Sequence, residues 1–115
     1  MRRLIVRGTM LGLALAGAGC GGGDGGGDPV ARGRGVYLAN CVACHHTNPK
    51  LAGPVGPEVA GSSRALIEAK IVRNEYPPGY VPKRSTRAMV PLPHLEPELD
   101  ALAAYLGSIP PASIP

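Results

Sequence analysis

NCVACHH, residues 40–46, places Cys41 and Cys44 three apart and sets His45 and His46 directly behind the second cysteine. A pair at i and i+3 lies on one face of a helical turn. Such a pair can close a disulfide, act as a thiol redox couple, supply half of a zinc site or anchor a haem. The remainder of the chain separates these chemistries.

A disulfide across so short a loop stabilises little, because the entropy removed from the unfolded chain grows with the residues enclosed. A thioredoxin-like couple needs a strand-to-helix context, and no segment here alternates well enough to be a strand. A zinc site built from Cys41, Cys44, His46 and His94 lacks the usual second close-spaced pair. Cys-x-x-Cys-His is the attachment motif of c-type haem, and this reading uses every residue. Cys41 and Cys44 then form thioethers to the porphyrin, and His45 offers its imidazole to the iron.

The chain opens MRRLIVRGTMLGLALAGAGC, with Arg2, Arg3 and Arg7 ahead of an apolar stretch and then small residues. That order is a secretory signal. The apolar part, residues 10–18, falls short of the roughly 20 residues that span a bilayer. The closing GAGC resembles the lipobox of bacterial lipoproteins, whose cysteine is acylated, although Gly17 stands where a bulky aliphatic is usual. Acylation of Cys20 explains a third cysteine that has no pair; ordinary cleavage nearby is the alternative. The expected organisation is a signal peptide over 1–19, a lipidated Cys20 with a glycine-rich tether over 20–28, and one domain over 29–115. An eight-residue tether of this composition reaches about 15 Å. The product is exported, on the periplasmic or cell-surface side, and held near its membrane by lipid.

The formal charge of +4 includes the three signal arginines. Removing them leaves the chain from Cys20 close to neutral, so nucleic-acid binding loses its compositional support. GGGDGGGD, residues 21–28, has no Gly-Lys-Ser/Thr behind it and no strand before it, which excludes a phosphate loop.

The domain has no Phe, no Trp and four Tyr. Chains this small need a staple or cofactor to complete a core. Helical patterns run from about Ala31 into the cysteine motif, through SSRALIEAKIVRN with Ser62 or Ser63 as N-cap, and through EPELDALAAYLGSI with Pro97 at its first position. Glu98 and Asp100 near that last start favour the helix dipole, and Gly107 is its stop. Two long Pro/Gly-rich loops connect them, and loops of that length in a small domain wrap something.

GRGVYLANCVACHH, GPEVAG and LDALAAYL together resemble a small monohaem cytochrome c, the all-α, His/Met-ligated type, from Ala31 to Ile109. The resemblance implies three main helices and long loops around one covalently bound haem c. It implies that the carbonyl of Pro57 accepts the second N–H of His45, and that Tyr105 packs near Gly33 where first and last helices cross. It places the distal iron ligand in the proline-flanked loop before the last helix. Met1 and Met10 belong to the signal, so Met89 takes that role, although members often read Met-Pro and this chain reads Met89-Val90-Pro91. His94 is the rival distal ligand. His46, turned about 100° from His45, is a surface residue.

An iron ligated on both sides by protein points to outer-sphere electron transfer rather than enzymatic turnover, with redox proteins as partners and no small-molecule substrate. Lys83, Arg84 and Arg87 form a candidate docking patch for an acidic partner; a solvated loop or pairing with the haem carboxylates is the plain alternative. A haem-based gas or redox sensor, or a small haem subunit of an oxidoreductase, is the other function class. It finds only Glu75 as a carboxylate near the distal loop.

Overall fold

The computed structural model describes residues 27–113. The signal, Cys20 and most of the glycine-rich tether lie outside the described residues. Three α-helices are present, α1 (Pro29–Asn40), α2 (Arg64–Arg73) and α3 (Leu99–Gly107), with a 3₁₀ segment (Pro93–Glu98) leading into the last. No strand occurs among the described residues. The fold is all-α.

Helix α1 starts earlier than its periodicity predicts. The Asp28 carboxylate accepts from the Val30 amide at 3.0 Å, and Pro29 occupies the first turn, where its missing N–H costs nothing. The helix also ends before the cysteine motif. Beyond Asn40 the chain makes one further turn, in which the His45 amide donates to the Cys41 carbonyl at 2.8 Å.

In α2 the capping residue is Ser63, whose hydroxyl accepts from the Leu66 amide at 3.2 Å. The Ser62 hydroxyl instead donates to the Val59 carbonyl. Asn74 closes the helix at φ 53°, a left-handed conformation that Asn tolerates better than most residues. Ile67, Ala69 and Ile71 turn inward.

Pro97 is not the first residue of α3. It lies inside the 3₁₀ segment, and α-helical bonding starts two residues on at Leu99. Pro97 cannot donate a backbone hydrogen bond, so the turns around it close by i→i+3 bonds such as Leu99 N–H to the Glu96 carbonyl. Glu98 makes no capping bond. Its carboxylate is gripped at both oxygens by the Arg32 guanidinium, each at 2.7 Å. Gly107 ends the helix as its pattern predicts.

Helices α1 and α3 cross at Gly33. A Cβ there would lie 1.9 Å from the Ala101 carbonyl oxygen and 2.7 Å from the Tyr105 Cβ, so glycine is obligatory. The approach brings Tyr37 and Tyr105 into a tilted ring contact, centroids 5.7 Å apart. Tyr37, Leu99 and Leu102 are the most deeply buried side chains, and Ile67, Ile71, Leu95 and Leu106 complete the core. Each buried aliphatic contributes about 1.5–3 kcal/mol. The core is nevertheless a shell: it surrounds a cleft.

Candidate functional site

The turn that follows α1 places Cys41, Cys44 and His45 on the cleft. Cys41 is half-buried and Cys44 exposed, and the two are not bonded to each other. Burial first, and the neighbouring Cys44 second, push the Cys41 thiol up to about 11. A thiol held protonated at neutral pH is a poor redox nucleophile. A thioether carries no proton and suits the same apolar wall. Among the described residues no group of three or more His, Cys, Asp or Glu side chains could hold a metal ion, so the four-ligand zinc arrangement has no geometry to stand on.

His45 Nδ1 lies 2.8 Å from the Pro57 carbonyl oxygen. A carbonyl can only accept, so Nδ1 carries the proton and Nε2 keeps its lone pair for a metal. The ring lies flat against Gly56. A Cβ at that glycine would fall 2.4 Å from Cε1 and 2.6 Å from Nδ1. The loop that supplies Gly56 and Pro57 is itself pinned to the motif, because the amides of Val55 and Gly56 both donate to the Cys44 carbonyl.

Met89 lines the same cleft from the second long loop, half-buried against the core. The wall between the two sides is aliphatic, with Leu66, Ile67 and Ile71 from α2 and Leu102 and Leu106 from α3. His94 is exposed at the start of the 3₁₀ segment, away from the cleft. His46 also points elsewhere: its Nδ1 accepts from the Asn48 amide at 2.9 Å, and its carbonyl accepts from the Tyr37 hydroxyl.

The chain matches the cytochrome c family over residues 30–110. It belongs to that family. No curated protein is significantly similar to it. Membership brings a covalently attached haem c and a role in electron transfer, and Cys41 and Cys44 stand at the required spacing. The residues of the cytochrome fit the group. Two thiols sit on one turn, an imidazole presents a free nitrogen, and an aliphatic wall closes one side.

A polar margin of the cleft was not legible in the sequence. Tyr76 and Tyr80 stack 5.4 Å apart, and the Lys70 ammonium sits 4.3 Å above the Tyr76 ring. Burial raises the Tyr80 hydroxyl above its ordinary value, with Tyr76 and Glu58 adding to it. Lys83 donates to the Glu58 carbonyl at 3.0 Å, and Arg84 reaches the Gly56 carbonyl at 3.4 Å. The three basic residues read as one docking patch therefore divide. Lys83 and Arg84 line the cleft and bind its loop, while Arg87 stays outside it. Glu75 pairs with Arg73, and the carboxylate on the cleft is Glu58. Its own backbone amide, and then Lys83, hold that carboxyl below its usual range against the opposing effect of burial.

Proposed function

We propose that this cytochrome is an outer-sphere electron carrier between exported or membrane-bound redox proteins. Cys41 and Cys44 tether the haem, His45 is the proximal ligand and Met89 the distal one. The observation that carries the reading is that His45 and Met89 line one apolar cleft from two separate segments, with the His45 Nδ1–H donating to the Pro57 carbonyl.

When bound, the haem supplies a one-electron ferrous/ferric couple. Pro57 fixes the tautomer and the orientation of His45, which would leave Nε2 with its lone pair for the iron. As a ligand, the Met89 thioether would favour the reduced state. Leu66, Ile67, Ile71, Leu102 and Leu106 exclude water, and an apolar surround disfavours the state of higher charge. Were His45 and Met89 both to hold the iron, a small molecule would bind it only by displacing one of these side chains. Cys44 is exposed at the cleft, so a haem held there would be open to a partner protein on that side. Export and acylation of Cys20 complete the proposal and keep the carrier within reach of membrane-bound partners; mass spectrometry of the N-terminal peptide tests that part.

Met89→Ala tests the ligand set. Its ferric form loses the weak red absorption band of sulfur–iron bonding and its midpoint potential falls, while His94→Ala leaves both unchanged. Loss of the band on replacing His94 instead of Met89 would sink the assignment. Rapid carbon monoxide binding by the unaltered ferrous protein would favour the sensor class.

A further inference from the structure

The segment from Val81 to Pro91, which carries Met89, makes no backbone–backbone hydrogen bond in the described structure. Before it, the Tyr80 amide bonds to the Pro77 carbonyl; after it, the Leu92 amide bonds to the Ile71 carbonyl at 2.7 Å. Between those points the polar attachments are two side chains. Lys83 donates to the Glu58 carbonyl and lies 3.3 Å from the Glu58 carboxylate, and Arg84 donates to the Gly56 carbonyl. Ser85, Thr86, Arg87 and Ala88 are exposed.

The acceptors form a consecutive run. Gly56 takes Arg84, Pro57 takes the His45 ring and Glu58 takes Lys83. The run is rigid, since the Gly56 amide is held by Cys44 and the amides of Val59 and Ala60 by the Pro49 carbonyl. A segment lacking its own hydrogen bonds is thus fastened by two cations to the loop that orients the opposite histidine.

We propose that Lys83 and Arg84 are positioning residues for Met89: they tie the distal segment to the proximal loop and set how long Met89 stays on the iron. The proposal rests on the His45/Met89 reading. Its physical content is a local equilibrium. An open form of the 81–91 segment, with Met89 withdrawn, is held at low population by the charge-assisted bonds to Gly56 and Glu58. A small external ligand binds the open form, so its apparent affinity reports that population.

Imidazole titration of the ferric protein, followed through the red band, makes the test. Lys83→Gln with Arg84→Gln should tighten apparent imidazole binding about three- to tenfold, the range for losing two partly exposed charged contacts. On heating, the red band should vanish further below the loss of far-ultraviolet helix signal than in the parent. Lys83→Arg, which restores a donor, should return the affinity toward that of the parent. The proposal is overturned if imidazole affinity is unchanged in the double variant. It is equally overturned if band and helix signal shift together, as general destabilisation would make them. A parent without a red band, or one that keeps it after Met89→Ala, overturns the ligand reading and this proposal with it. A parent with a Met89-dependent band and indifferent variants overturns the tether alone.

Discussion

The hydroxyl of Tyr37, in the buried heart of α1, donates to the carbonyl of His46 at 2.6 Å. The bond ties the crossing of the outer helices to the residue next to His45, the proposed iron ligand. Burial foremost, then Cys41 and Tyr105, pushes that hydroxyl up to about 12. Conversion of Cys41 to a thioether removes its share and leaves burial, the largest.

Tyr37→Phe should therefore cost about 1 kcal/mol at neutral pH, the ordinary value of one hydrogen bond. It should also change the alkaline limit. In the unfolded chain the phenol ionises near pH 10, and the folded state keeps the proton longer. The stabilisation is complete below about pH 10 and is lost as pH rises through about 12. Denaturant unfolding across that window should show a steep decline in the parent and a shallower one in the variant. Equal slopes would contradict it.

Gly56→Ala drives a methyl group into the His45 ring. The imidazole must leave the Pro57 carbonyl or the loop must move away from Cys44, at a cost of about 1–3 kcal/mol for forced overpacking. A lower denaturation midpoint and an altered redox potential should appear together. Parent-like values for both would show that the ring has room that the geometry denies.

Removing the haem removes the filling of the shell. Cys41→Ala with Cys44→Ala leaves Leu66, Ile67, Ile71, Leu102 and Leu106 facing solvent across the cleft. Domains of this size have little stability to spare. The unattached chain should show weak far-ultraviolet helix signal and no cooperative thermal transition. A cooperative transition in that chain would mean that the protein core suffices alone.

Local chemistry was readable in advance, and contacts through space were not. The three helices follow from apolar spacing, from a serine at the right offset before Leu66 and from Gly107 behind Leu106. Cys41, Cys44 and His45 adjoin in sequence, so their motif survives without a fold. Pro97 misled because proline suits an α-helix start and a 3₁₀ turn alike, and only the neighbouring Pro93 and the packing of Leu95 decide between them. The face of Gly56 against His45 has no sequence signature beyond a glycine before a proline. The targets of Lys83 and Arg84 are backbone carbonyls, which every residue carries. Their charges suggested one docking patch, when two of them bond to the carbonyls of the loop at the cleft rim. Glu98 was likewise legible only as a charge near a helix start, and its pairing with Arg32 had no sequence signal.

The meeting of Gly33 with Ala101 closes the domain with its two ends. No leading fragment can bury Tyr37, since the surface that covers it is made by the last helix. Burial of Tyr37 must wait for that long-range contact. Truncation just before Leu99 would remove nine helical residues and, with them, the whole fold.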